Sequence, residues 1–382
     1  MKKVIAAAAG LMLVGAMVGS ASAAVTFSGS ARARGYYQTD YDFGRTAEGV
    51  RTNEKEQSFS SRVRLIIKAE SKGGSYARAR IRMADSTWDG TSQTRDRGTR
   101  TNSYVDYAYI GIPMGPTVLQ AGLMPANLTK FTYWDRRADM ASLTWKNDMT
   151  EVFGWFQKSA EFTDDATDFI DDNDINTWVL GWKQKFAGDF GMTVVGMYDD
   201  DQTPADESGW SGTINVGGPA GPVALEAELA AVSEDLTGGD TTGYGGFIQG
   251  GFDLGAAAVT LNAGFTQDGY AADDDFGFMM LGGAASITPG LMANIGGLGD
   301  TWWLYGIAGF QASENVSLKG IVGWADITNV GQTFELSGKL VYTISDGANF
   351  QWDIGYMNVN AEDHTAITED PFGTALTFNV SY

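Results

Sequence analysis

Eight cationic side chains, grouped in three short stretches, are the residues of this chain best placed to act on a solute. Arg32 and Arg34 alternate with Ala31 and Ala33. Arg62, Arg64 and Lys68 alternate with Val63, Leu65, Ile67 and Ala69, and Arg78, Arg80 and Arg82 with Ala77, Ala79, Ile81 and Met83. A period of two puts every cation on one face of an extended strand and every apolar residue on the other. An arginine held against the middle of a bilayer costs ~2–4 kcal/mol, so a membrane sheet must turn these cations onto water. Counted from the nearest turns, the cluster falls near mid-height of the strands that carry it. A cationic patch at that depth biases passing solutes by charge.

The elements that position this patch follow from the same period of two. The chain ends with Leu376, Phe378, Val380 and Tyr382 on one side and Thr377, Asn379 and Ser381 on the other. In 257–267, Val259, Leu261, Ala263 and Phe265 oppose Thr260, Asn262 and Thr266; in 332–344, Phe334, Leu336, Leu340 and Tyr342 oppose Thr333, Glu335, Ser337 and Lys339. Eight short Gly-, Pro-, Asn- and Asp-rich turns alternate with nine longer polar connections, which gives 18 strands. The weak spot is Phe276 to Leu281, a candidate strand of its own; one hairpin more or fewer makes 20 or 16. The predicted fold is all-β, a transmembrane antiparallel up-and-down β-barrel with short periplasmic turns and long outer loops. Trp and Tyr near strand ends (Tyr104, Trp178, Trp302, Trp303 and Tyr382) fit the aromatic girdle of such a barrel. A barrel of this size leaves an aqueous channel inside.

Residues 1–23 read as a cleaved export signal: Lys2 and Lys3, an apolar run from Val4 to Val18, and Ala21-Ser22-Ala23 before a mature start at Ala24. Residues 24–382 then form a single barrel domain. Beyond that segment no run of about 18 apolar residues occurs, so a helical membrane protein is excluded. The chain has no Cys, which removes disulfides, thiolate metal sites and a Cys nucleophile. The formal charge is −21, or −23 without the two signal lysines. Nucleic acid is therefore not an expected partner, since phosphate would be repelled. The single histidine, His364, stands beside Glu362 and Asp363 in the last long connection with no nucleophile motif near it. Catalysis is not expected, and neither is a cofactor. Acidic runs (Asp164, Asp165, Asp168, Asp171, Asp172 and Asp174; Asp273 to Asp275) read first as solvated loops and second as Ca²⁺ ligands bridging lipopolysaccharide phosphates. Glu226 and Glu228 add acid to the polar face of their strand.

The connection between the fifth and sixth strands, Met124 to Asp139, carries Lys130, Asp135, Arg136, Arg137 and Asp139 among Phe131, Tyr133 and Trp134. With the export signal, the hairpin meander, the early arginine ladder and the terminal aromatic residue, the chain resembles the general porins of Gram-negative bacteria along its mature length. The resemblance implies a passive outer-membrane channel for ions and small hydrophilic solutes, assembled as a homotrimer in contact with lipid and lipopolysaccharide. In that family the third long loop folds into the barrel and faces the basic ladder. By the resemblance, Lys130, Asp135, Arg136, Arg137 and Asp139 form the constriction loop, with Asp135 and Asp139 opposite Arg32, Arg34, Arg62, Arg64, Arg80 and Arg82. Two features depart from the family: the loop is short, which makes 268–300 the other candidate for the narrowing, and the chain ends in Tyr382 rather than Phe. A channel selective for an oxyanion or a sugar, and an adhesive surface barrel with a shut lumen, are the rival readings. Anion against cation preference stays open at this level, because acidic mouths oppose a basic ladder.

Overall fold

The computed structural model describes residues 24–40, 55–87, 103–160, 174–203, 207–282, 294–360 and 369–382. The export-signal segment 1–23, the acidic run from Asp164 to Asp172, and His364 with Glu362 and Asp363 lie outside the described residues.

Eighteen antiparallel strands form one closed sheet, each paired with its neighbours in sequence and the first paired with the last. They are β1 (Ala24–Thr39), β2 (Lys55–Glu70), β3 (Tyr76–Thr87), β4 (Tyr104–Met114), β5 (Thr117–Ala126) and β6 (Arg136–Lys146). Next come β7 (Thr150–Ala160), β8 (Ile175–Lys185), β9 (Gly191–Asp201), β10 (Gly209–Ala220), β11 (Val223–Val232) and β12 (Gly243–Asp253). The wall is completed by β13 (Ala257–Gln267), β14 (Thr301–Ser313), β15 (Val316–Ile327), β16 (Gly331–Ser345), β17 (Ala348–Asn360) and β18 (Phe372–Ser381). Among the described residues one helical turn, Glu234–Thr237, interrupts the meander. The predicted 18-strand barrel is the observed one. Phe276 to Leu281 is not a strand; it belongs to the connection after β13, which holds one isolated bridge between Gly277 and Gly282.

Closure is made by main-chain bonds at both ends of the chain. The Gly29 N–H donates to the Tyr382 carbonyl at 2.8 Å, and the Tyr382 N–H returns to the Gly29 carbonyl at 3.1 Å. The terminal tyrosine ring lies over Gly29, where a Cβ would sit 2.6 Å from the ring. Tight turns are held by side chains of the expected types. Asn147 Oδ1 accepts the N–H groups of Met149 and Thr150 at 2.9 and 2.8 Å, and Asp253 Oδ1 accepts that of Gly255 at 2.9 Å.

Alternation sorts the side chains as a bilayer demands. Phe27, Phe59, Leu180, Trp178, Leu229, Ile248, Leu304, Leu336 and Phe378 are exposed on the outer face. Their neighbours Thr177, Val179, Glu228, Phe247, Trp303, Tyr305, Glu335 and Thr377 are buried inside. An apolar outer band over polar and aromatic inner positions is the arrangement of a membrane barrel, the reverse of a soluble sandwich. Several strands exceed the ~9–11 residues a crossing requires, with β1 and β2 at 16 each, so their ends stand clear of the hydrocarbon.

The interior is partly filled. The connection between β13 and β14 folds against the inner wall: Tyr270, Ala272, Met279, Met280, Leu281 and Ile295 pack with Phe131, Phe247, Trp303, Tyr305, Ile321 and Met357. The arginine-bearing strands β1–β3 contribute nothing to this apolar cluster.

Candidate channel constriction

Strand register stacks the cations in rows. Arg32 pairs with Arg62 across β1 and β2; Arg64 pairs with Arg82, Ile66 with Arg80 and Lys68 with Arg78 across β2 and β3. All are on the inner side, because Val63, Leu65, Ile67 and Ala69 pair with Ala31, Gly29, Phe27 and Val25, whose row is exposed outside. Tyrosines of β4 give the guanidinium groups a surface to lie on. The Arg78 and Arg80 guanidinium carbons lie 5.5 and 4.7 Å from the Tyr107 ring centre, and that of Arg82 lies 5.3 Å from Tyr104. Lys68 is paired with Glu70 at 2.6 Å, with both side chains open to solvent.

One carboxylate gathers three of the arginines. Asp106 is buried at an irregularity where β3 and β4 shift register beside Arg80 and Ile81. It binds Arg80 Nε, Arg82 Nη2 at 3.1 Å and Arg137 Nε at 2.8 Å. Arg64 stands within electrostatic reach of Arg62, Arg80 and Arg82, with Asp106 as the opposing charge. The Nε groups of Arg34 and Arg64 are buried without a hydrogen-bond partner. Arg34 is crowded by Arg62 and balanced by Asp353.

The third-loop residues divide among different tasks. Lys130 is exposed and lies within electrostatic reach of Lys319 on β15, which also neighbours Lys339 and Asp353. Asp135 sits at φ 45° and pairs with Arg137 at 3.0 Å, so it reaches the ladder only through Arg137 and Asp106. Arg136 turns the other way and binds Asp273 at 3.3 Å and Asp274 at 2.6 Å. Asp139 is exposed between the buried Ala138 and Met140, which puts it on the outer side of β6. The resemblance set Asp135 and Asp139 opposite the arginines, and the geometry departs from that. One is neutralised by its own neighbour, and the other is turned outward by strand alternation.

Two loops form one body inside the barrel. The Asp273 N–H donates to the Phe131 carbonyl at 2.9 Å, and the Trp134 N–H donates to Asp273 Oδ2 at 3.1 Å. Glu228 on the wall accepts hydroxyl bonds from Thr129, from Thr132 at 2.8 Å and from Thr213 at 2.7 Å, and an amide bond from Asn215 at 3.0 Å. Glu335 accepts the N–H groups of Met279, Met280 and Leu281 at 3.3, 3.1 and 3.2 Å, with Tyr305 and Ser337 hydroxyls at 3.1 and 2.8 Å. The Phe278 ring stacks on Tyr305 at 3.6 Å, nearly parallel. Burial raises the Asp273 carboxyl above the ordinary aspartate range, against the opposing pull of two main-chain N–H groups and Arg136. Asp275 is raised as well, by burial first and then by the charges of Asp135, Asp273 and Asp274.

Sequence reasoning did not single out Asp106, Asp353, Lys319 or Glu335 as parts of a site. Alternation with outward neighbours marks Asp353, Lys319 and Glu335 as lumen-facing, whereas Asp106 stands at an irregularity beside the inward Tyr107, and isolated charges on separate strands carry no sign of converging. Among the described residues no group of three or more His, Cys, Asp or Glu is arranged to hold a metal ion.

The sequence profile of Gram-negative porins matches residues 6–329. No curated protein matches the chain in sequence. Among solved structures it is similar to Pseudomonas aeruginosa OpdQ, with TM-score 0.61 and 12% identity over 93% of this chain and 97% of that one. It is also similar to a BenF-like porin from Pseudomonas fluorescens Pf-5, with TM-score 0.60 and 11% identity over 94% and 99%. A third is P. aeruginosa OpdK, solved with vanillate, with TM-score 0.61 and 11% identity over 93% and 98%. At such identities the likeness is one of fold. The profile match and the closed wall agree: the chain belongs to the Gram-negative porin family, a passive outer-membrane channel for ions and small hydrophilic solutes.

Proposed function

We propose that the channel favours anions, and that Arg32, Arg34, Arg62, Arg64, Lys68, Arg78, Arg80 and Arg82 line its conducting side. The observation that carries this reading is the uncovered cationic wall. The apolar fill stands against β11–β17, and the buried Nε groups of Arg34 and Arg64 lack hydrogen-bond partners. The charge of these guanidinium groups, in a setting of reduced dielectric, attracts a passing carboxylate or inorganic anion more strongly than it would in open water. Lys130, Lys319 and Lys339 extend the positive field to the other side, with Lys339 offset by Asp353 at 3.5 Å. The acidic residues of the inner loops are largely spent on local pairs, Asp135 on Arg137 and Asp273 on Arg136. The vanillate of the OpdK structure, itself a carboxylate, is in keeping with such a lumen.

In this reading the constriction is made jointly by the third loop and by residues 268–282 and 294–300, and no catalytic step or cofactor takes part. Residues 1–23 are removed on export, and the outer face meets lipid and lipopolysaccharide. Three subunits associate through their outer walls. An apolar hollow of about 480 Å³ between Phe59, Trp352 and Phe378, floored by Ala33 and Gly35, offers a seat for a neighbour. The test of ion preference is the zero-current potential of the purified channel across a planar bilayer in a KCl gradient. A potential of the sign set by chloride is expected; one of the sign set by potassium would contradict the reading. Sedimentation mass in detergent checks the trimer.

A further inference from the structure

A second feature of the lumen wall differs in kind from the arginine ladder. Beneath the start of the third loop, strands β4–β8 enclose a cavity of about 170 Å³ open to the lumen. Its floor is aromatic. The Phe153 ring lies flat against the wall because Gly181, opposite it on β8, has no Cβ to stand in the way. Trp155 continues the surface, its ring centre 5.7 Å away and tilted by only 16°. Phe153 is buried and Lys183 Nζ lies 5.1 Å from its ring centre, so Trp155, only partly buried and stacked on Phe153, is the platform left for a flat-faced guest.

The polar lining is of mixed sign. Glu151 and Lys183 are the charged residues that line it, and they are paired at 3.2 Å, so the cavity carries no net charge. Both remain partly open to solvent, with side chains 33% and 43% exposed. Gln120 and Ser142, linked at 3.5 Å, add an amide and a hydroxyl. An anion meets little attraction here, since the one cation is already matched and a carboxylate stands beside it. A purely apolar guest would cut these polar groups off from water without offering them further hydrogen bonds. The lining suits a neutral solute with one apolar face and several hydroxyls at its edge. A cavity of roughly 150 Å³ admits one six-membered ring.

We propose that this cavity is a binding subsite for a neutral monosaccharide ring. The C–H face of the sugar stacks on Trp155, which Phe153 backs, and the ends of the Glu151–Lys183 pair supply an acceptor and a donor to adjacent hydroxyls. The proposal rests on the channel reading, but not on ion preference.

The experiment is ion-current recording of the full channel in a planar bilayer, with glucose added and glycerol as the viscosity control. Glucose is expected to reduce and modulate the current saturably, while glycerol lowers it only in proportion to viscosity. Trp155→Leu should weaken the glucose effect about tenfold, the scale of one lost stacking contact. Its zero-current potential should stay unchanged, and Glu151→Gln, which keeps the platform, should weaken the effect as well. A linear response identical for glucose and glycerol would overturn the subsite while leaving the channel reading intact. So would a benzoate block that depends on Trp155 where glucose has none. A barrel that carries no current overturns both.

Discussion

Arg137 Nε stands 2.8 Å from the buried carboxylate of Asp106, which also holds Arg80 and Arg82. This bond ties the stem of the third loop, through β6, to the basic wall on β3. Three guanidinium groups share one acid. Removing the acid leaves buried cations uncompensated, a loss that typically costs about 3–5 kcal/mol. Asp106→Asn is therefore expected to lower resistance to urea unfolding by that amount and to strengthen anion preference. Equilibrium unfolding in detergent and the zero-current potential check the two parts separately.

Glu335 is the latch of the inner loop. Its carboxylate takes three consecutive main-chain N–H groups, from Met279 to Leu281. Hydrogen bonds to a charged acceptor are worth about 1.5–3 kcal/mol each when buried. Glu335→Ala should free 276–282 from the wall, raise single-channel conductance and expose the segment to protease. The conductance histogram against wild type is the measurement, and an unchanged conductance would show that the loop does not narrow the path.

The pH dependence has a definite sign. Burial raises the carboxyls of Asp273 and Asp275 in the docked loop, so the docked form binds protons more tightly than a loop released to water. Acidification through the raised values therefore favours docking, and that gain is complete once pH falls below the ordinary value of 3.8. Well above the raised values both forms are ionised and docking should not respond to pH. Protease accessibility of 273–282, followed from pH 7 downward, should fall on acidification, and a rise would reverse the assignment.

Much of the wall was legible in the residues themselves, because lipid on one side and water on the other impose a period of two. Arg62 and Leu65 reveal their faces without any knowledge of their neighbours. The strand count survived its weakest point because Gly277 and Gly282 close a turn where a crossing strand would need an unbroken alternation. Glycine alone does not mark a turn: β10 runs on through Gly217 and Gly218 to Ala220, since both glycines keep their pairing with β11. The convergence of Asp106 with Arg137 was not legible, since a shift in register on one strand and the height of another decide it. Nor was the outward aim of Asp139, where a loop position became part of β6 and took on that strand's alternation.

The most direct test of the central claim is the zero-current potential after replacing Arg62, Arg64, Arg80 and Arg82 with Gln. With the wall on β2 and β3 neutralised, the potential in a salt gradient should move toward cation selectivity. A folded, conducting channel whose potential does not move would show that these side chains lie away from the path of the ions.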